Sequence, residues 1–595
     1  MSTYNNKAAL HRSIFTTRHT IITLSDCIIL TSIPLILSLL NQNWMYARYF
    51  NIDEWVYVGY GYSYLDPTFN VTDYKIGRLP WILLEGIVRG SFSRLVSSWI
   101  LAFGVLALGN IALFFALRIP FGRLPALSAS IFIAGLTFMY ANGGPDYHNT
   151  LAGAFYCLSM FLCARCARRQ PPGRDLVFLG AVLALTVHTN PVFINLVPIL
   201  IVQFLLSYRV NHLEFPALFP TIFLGMFGAV AVTVLLGVVN FSCGRQFFFF
   251  AQQLHLIIDF VSDSSRQKTW WEPWSRWYLN APNMGFFFAG ALLSFTTLAL
   301  AAPWHSAPAV SKNASLYSGA YLFALFIWTV WQSVGQTAFQ PYYFAFPLGF
   351  PLAGAVAAAI ATSVRQTPSA LPLTVAMVFF AAMTIAGVYY CDHVVSFFGA
   401  TFWPPGVEAA MGFTMAFAAL VSLRWSMGFG FLAIMILCAA DGLAVSDPLA
   451  YAASNCSVYR DRYELILDAS RMLRETHFAG TKVFVFSEFG DNTDTGPDCG
   501  ERQIPAGWLQ AAIGATGFEE VEHYWANKTL DRVEPERWRE VVAAKGLVGF
   551  ITGNPTRISV LREKLEEAGG MPGATRFFRL KKGNVELPLY ILPLS

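Results

Sequence analysis

Apolar runs of about 17–25 residues, the length at which a helix crosses a bilayer, recur through the first three quarters of this chain and limit its fold more than any other feature. Inside a bilayer only a helix or a closed barrel satisfies its own backbone polar groups, and runs this long read as helices. They lie near 20–40, 94–117, 124–141, 148–167, 175–189, 191–208, 216–239, 283–302, 317–335, 341–361, 370–390, 408–424 and 427–445, about thirteen spans in all. Pro191 divides the apolar block 175–208, because proline interrupts the helical hydrogen bonding. Composition agrees: 55% of the 595 residues are hydrophobic and 13% are charged. That charged share is about half of what a soluble domain carries. The formal charge of +4 is too small to imply a nucleic-acid partner.

The basic start MSTYNNKAALHRSIFTTRHT precedes the first apolar run, as it would in a signal peptide. That run is of spanning length, however, and Asn41-Gln42-Asn43-Trp44 follows it in place of a small-residue cleavage site, so it reads as a retained first helix. With the N-terminus in the cytoplasm, the inner loops hold Arg118, Arg123, Arg165, Arg168, Arg169, Arg174, Arg209, Lys312, Arg365 and Arg424. The opposite short turns ANGGPDY, HTNP and VGQTAFQP hold no Lys or Arg, which is the asymmetry that orients membrane helices. An odd number of spans then places the C-terminal region outside.

Three outer segments are longer than turns: 41–93, 240–282 and 391–407. The first carries Asp53-Glu54, the run GYGYSYLDP and the amphipathic segment RLPWILLEGIVRG. In that segment Trp81, Leu84, Ile87 and Val88 are apolar and Glu85 and Arg89 polar, the pattern of an interfacial helix. The second segment ends in the Trp-rich WWEPWSRW. The chain thus divides into a membrane domain, 1–445, and a charged C-terminal domain, 446–595. In the latter, YRDRYELILDASRMLRETHF has helical spacing, and KVFVFSEFG, GLVGFITG, RFFRLKK and VELPLYIL read as strands separated by helices. The expected fold class is a polytopic α-helical membrane protein of about thirteen spans with a C-terminal soluble α/β domain on the outer side. Cys456 and Cys499 fall in that domain, where a disulfide and two free thiols are both open.

Asp53 and Glu54 stand in surroundings that are otherwise aromatic and apolar, with Trp55, Tyr57, Tyr60, Tyr62 and Tyr64 close by. Acids in loops are ordinarily solvated, but a carboxylate in such company needs a partner or a function. Asp146 is the only acid of the turn ANGGPDYH, where it can cap the helix that follows, serve a site, or do both. Asp26 and Asp441, within apolar runs, read as paired structural groups.

A first span, an acidic pair early in the first outer loop, the Gly-Tyr-rich continuation and the segment Gly77-Arg78-Leu79-Pro80-Trp81 together resemble the GT-C class of integral-membrane glycosyltransferases. The branch they resemble is that of protein O-mannosyltransferases and bacterial lipid A aminoarabinose transferases. The motifs cover the first 200 residues or so, and the rest is matched by topology alone. The resemblance implies transfer of a sugar from a polyprenyl-phosphate donor to a hydroxyl of a lipid, glycan or protein, with inversion at the anomeric carbon. It also implies a multi-pass protein of the bacterial inner membrane, with Asp53 as general base and Glu54 and Asp146 orienting the acceptor or holding a divalent cation. A phosphate leaving group needs no general acid, so one base suffices. Lys75 and Arg78 in the first loop, and Arg245, His255, Arg266 and Lys268 in the 240–282 segment, are candidates to bind the donor phosphate. Tyr57, Tyr60, His148 and His188 are candidates to line the substrate cavity.

A transporter or lipid flippase would also be polytopic with polar residues in its spans. Transporters commonly show internal repeats and a site at mid-span, whereas here no repeat is evident and the acidic pair lies in an outer loop. A third possibility is an assembly or sensor protein that acts through residues 446–595.

Overall fold

The computed structural model describes residues 23–36, 38–39, 52–65, 74–136, 146–169, 173–212, 214–262, 285–300, 308–333, 345–364, 458–476, 483–488, 521–523, 533–552, 554–582 and 585–594, with isolated positions between them. The expected spans 408–424 and 427–445, the segment 391–407, the domain boundary at 445/446, Asp441, Cys456 and Cys499 lie outside these residues.

The apolar runs form helices: α1 (Thr23–Ile36), α4 (Arg94–Phe121), α5 (Arg123–Gly135), α6 (His148–Cys166), α7 (Arg174–Thr189), α8 (Pro191–His212), α9 (Leu218–Ser242), α11 (Gly285–Leu300), α12 (Ala309–Ser333) and α13 (Phe346–Ser363). Five of them, α4, α8, α9, α12 and α13, are long and apolar enough to cross a membrane. Helix α13 is buried throughout, so it forms the centre of the bundle. Helix α9 is the opposite case: Phe219, Ile222, Phe223, Met226, Phe227, Val230, Val234, Leu235, Val238 and Phe241 are all exposed. So long an exposed apolar surface is stable only against lipid, and the chain is an integral membrane protein. Helix α12 begins at Ala309 rather than near 317, which places Lys312 on the helix instead of in a loop.

Without a hydrophobic force between helices in lipid, close packing depends on small residues. Helices α7 and α9 meet through Gly180 and Gly228, where an added Cβ would run into the backbone at Gly225 and Val177. At one end of the bundle Arg123 grips Asp26 of α1 through two bonds of 2.8 and 2.7 Å, and Arg165 and Arg169 share Asp175. Asp26 is thus the paired structural group its position suggested.

At the other end lie two helices in the region read as the first outer loop, α2 (Ile52–Ser63) and α3 (Leu79–Ser91), and a third, α10 (Ala251–Ser262), in the second long segment. The acidic pair therefore lies on a helix, not in a loop. Its aromatic neighbours supply the reason: Trp55, Tyr57, Val58 and Tyr60 are buried and gain more from packing than from solvation.

The C-terminal residues begin with α14 (Val458–Thr476). They continue through β1 (Val483–Glu488), β2 (Val521–His523), α15 (Pro535–Ala543), β3 (Leu547–Thr552), α16 (Arg557–Glu567), β4 (Arg576–Lys582) and β5 (Val585–Pro593). The sheet order is β2-β1-β3-β5-β4. Strand β1 pairs parallel with β2 and β3, and β5 pairs antiparallel with β3 and β4. Strand β2 and helix α15 have no sharp counterpart in the sequence pattern. On one face of the sheet Phe484, Phe486, Val548 and Phe550 pack with Trp538, Val541, Leu561 and Leu565. On the other, Val483, Val485, Leu547 and Leu589 pack with Leu465, Ile466 and Leu473 of α14, and this core runs on into Trp55 and Val58 of α2 and Ala102 of α4.

Candidate active site

Helix α2 carries Asp53 on its first turn, and Glu54 beside it is fully buried. The side chain of Asp53 lies outside the described residues. Helix α2 packs on α3 at its glycines: a Cβ on Gly61 would fall 2.6 Å from Cγ of Glu85, and one on Gly86 would fall 3.2 Å from the carbonyl oxygen of Gly61. The glycines of GYGYSY therefore set the distance between the two helices.

Arg78 stands at the N-terminus of α3, ahead of Pro80 in the first turn. Its Nη1 donates to the hydroxyl of Tyr57 and lies 3.0 Å from Nδ1 of His148. The guanidinium also lies 5.5 Å from the centre of the Tyr57 ring and 5.9 Å from that of Tyr74. Tyr57 in turn contacts His148 and Tyr147 edge-on or tilted, at 5.3 and 5.8 Å between ring centres. Three residues chosen from sequence, Tyr57, Arg78 and His148, are thus brought together from α2, α3 and α6.

A second cluster surrounds Arg89, at the far end of α3. Its Nε donates to Oε1 of Glu85 at 2.9 Å, its Nη2 to Oδ1 of Asp146 at 2.7 Å, and its Nη1 to the hydroxyl of Tyr463 on α14 at 2.9 Å. Ser98 of α4 lies 2.8 Å from the Tyr463 hydroxyl and 3.4 Å from Oδ1 of Asp146. Glu85, Arg89, Asp146 and Tyr463 are all buried. Asp146 does not cap α6: its backbone is in the left-handed region, at φ 55°, and Tyr147 occupies the capping position without a side-chain bond. The strained backbone points the carboxylate back at Arg89, and such strain persists only where surrounding contacts fix it. Loss of solvation pushes the Glu85 carboxyl up to about 8, with Arg89 opposing and Asp146 adding to the shift.

The amphipathic reading of α3 is corrected here. Glu85 and Arg89 belong to the buried face, while Ile87 is 66% exposed. The polar pair turns inward because Asp146 and Tyr463 are there to satisfy it.

The remaining candidates are more dispersed. Tyr60 is buried and contacts Tyr57 edge-on at 6.4 Å. Lys75 lies over the ring of Tyr74 at 5.3 Å. Arg245 caps the end of α2, donating to the carbonyl of Tyr64 at 2.7 Å with its guanidinium 4.1 Å from that ring's centre. His255 is exposed on α10, whose Gln253 packs against Gly77. His188 sits 2.9 Å from the hydroxyl of Thr233 and packs on Phe249 and Phe250, so it joins α7 to α9. Arg266, Lys268 and the Trp-rich run lie outside the described residues. Among the described residues no group of three or more His, Cys, Asp or Glu is placed to hold a metal ion.

No family model and no curated protein matches the chain. Among solved structures, ArnT from Cupriavidus metallidurans bound to undecaprenyl phosphate matches 96% of this chain and 98% of its own, with a TM-score of 0.54 at 12% identity. In fold, the chain is similar to ArnT. The apo state of the same ArnT matches with a TM-score of 0.49 at 13% identity, over 97% of this chain and 98% of that one. The likeness in fold to ArnT extends over nearly the whole chain. Sequence reasoning missed Arg89 and Tyr463 as site residues. The available signal was the Glu85/Arg89 spacing on an otherwise apolar helix, but nothing local named their partners.

Proposed function

We propose that this protein is a membrane glycosyltransferase that moves a sugar from a polyprenyl-phosphate donor to a hydroxyl acceptor on a lipid, glycan or protein. One observation carries the reading: Arg78 and His148 meet Tyr57 on the helix that bears Asp53, and Asp146, two positions before His148, pairs with Arg89, in a bundle similar in fold to that of ArnT. That ArnT structure holds undecaprenyl phosphate. In this reading Asp53 accepts the acceptor's proton as the hydroxyl attacks the anomeric carbon, and the configuration inverts. Asp146 already faces Arg89 and Ser98, which fits a carboxylate that orients and leaves proton transfer to Asp53. Glu54, buried next to Asp53, supports it from the same turn. Arg78 binds the leaving phosphate with Lys75 and Arg245, and Arg266, Lys268 and His255 add positive or polar groups from the second long segment. The site faces the outer side of a bacterial inner membrane, opposite the end that carries Arg118, Arg123, Arg165 and Arg169.

The test is transfer of labelled sugar from a polyprenyl-phospho-sugar in proteoliposomes. Replacing Asp53 with Asn should lower the rate by about 100- to 10,000-fold, the usual loss for a general base. Undiminished transfer by that variant would remove Asp53 from the role of base. Wild-type protein inactive with every polyprenyl-linked donor would remove the transferase reading itself.

A further inference from the structure

The Tyr463 hydroxyl reaches the Arg89 cluster from a position 374 residues away along the chain. It accepts from Nη1 of Arg89 and lies 2.8 Å from Oγ of Ser98, whose own hydroxyl faces Asp146 at 3.4 Å. The contacts close a ring: Arg89 donates to Tyr463 and to Asp146, Tyr463 and Ser98 share a hydrogen bond that either hydroxyl can donate, and Ser98 lies 3.4 Å from Asp146. Each member is buried, where a hydrogen bond has no water to compete with it and a lost one has no substitute. The guanidinium has a planar fork and two acids to choose between, Glu85 and Asp146. A third partner in the plane fixes which nitrogen each acid receives.

We infer that Tyr463 is a positioning residue of the transferase site, by which the C-terminal helix α14 holds Arg89 against Asp146. The inference rests on the transferase reading for its meaning. The aromatic ring and the hydroxyl have separate tasks. The ring packs on Trp55 at 5.3 Å, within the apolar core shared by α14, α2 and α4, and Trp55 lies two positions after Asp53. That packing docks α14 without help from the oxygen. The hydroxyl faces the Arg89 cluster, bonded to Arg89 and Ser98. Asp146 needs such external restraint, because its left-handed backbone does not hold its direction unaided.

The test uses the full-length chain in proteoliposomes, with Tyr463→Phe and Arg94→Ala compared with wild type. Arg94 of α4 also ties α14 to the bundle, through a 2.7 Å ion pair with Asp468, but it is not bonded to the cluster. Two quantities are read: kcat and donor KM for sugar transfer, and the labelling rate of Asp146 by a hydrophobic carbodiimide, followed by mass spectrometry. Tyr463→Phe should lower kcat about tenfold, the worth of one buried hydrogen bond, at unchanged donor KM. The same variant should label Asp146 several times faster, whereas Arg94→Ala should match wild type in both readouts. Wild-type kcat and labelling in Tyr463→Phe would overturn the inference. Equal losses in both variants would overturn it too, because docking of α14 would then be the cause. If wild type transfers no sugar, the transferase reading fails, while the labelling comparison still decides whether Tyr463 holds Asp146.

Discussion

Arg89 meets two acids in a space without water, and burying one cation with two carboxyls carries a cost that only full pairing offsets. Truncating one partner of a buried ion pair costs about 3–5 kcal/mol, because the other charge remains buried. Arg89→Ala should therefore lower the melting temperature in detergent markedly, and a melting curve like that of wild type would contradict the buried cluster. Glu85 adds a dependence on pH. Loss of solvation raises its carboxyl from 4.5 to about 8, so the folded protein holds a proton that the unfolded chain releases. That contribution is complete below about pH 4.5 and is lost as the pH rises toward 8. Glu85→Gln should flatten the fall of stability across this window, and an unchanged slope would refute the assignment. At the other end of α3, on the proposed phosphate-binding role of Arg78, Arg78→Ala should raise the donor KM more than tenfold, the loss of a charge-assisted contact. A donor KM unaltered in this variant would move the phosphate contact elsewhere.

At the scale of elements, the sequence pattern of the first outer segment predicts a loop with one interfacial helix, and the segment holds two helices packed face to face. The sequence pattern places a helix over residues 78–90, and α3 runs from Leu79 to Ser91, because a proline in the first turn and the apolar spacing are local signals. It assigned the wrong face to the membrane, because helical spacing separates polar from apolar residues without saying which side meets protein. Helix α2 was missed since aromatic and glycine residues have middling to poor helix propensity, and tertiary packing overrides that tendency. Glycine is needed where the helices touch. Even the Cβ of Ala at Gly180 would run into the backbone of α9, and Gly180→Leu should abolish stable expression in the membrane, as judged by gel filtration in detergent.

At the scale of the whole molecule, three parts of the chain share the Arg89 cluster: the helix pair α2–α3, the helix bundle, and α14 with its sheet. The core around Trp55 joins the same parts by apolar contact, so the sheet is built into the site end of the bundle. A ligand that binds only the folded state raises its melting temperature. On the proposed transferase function, undecaprenyl phosphate should stabilise the wild type by several degrees at saturating concentration and stabilise Arg78→Ala less. Equal shifts in the two proteins would place the phosphate away from Arg78.

What the sequence determined by itself is what depends on near neighbours. Run length decided that the chain would form long apolar helices fit for a membrane. The helical and extended patterns of the last residues likewise foretold α14 and most strands of the sheet, because each element buries one face of its own. Only the tertiary structure decided which polar groups would meet. Arg89 and Tyr463 stand 374 residues apart, and the energy of their bond depends on burial that neither stretch can create alone. The same burial turned a polar helix face inward and made Asp146 a partner of Arg89 instead of a helix cap.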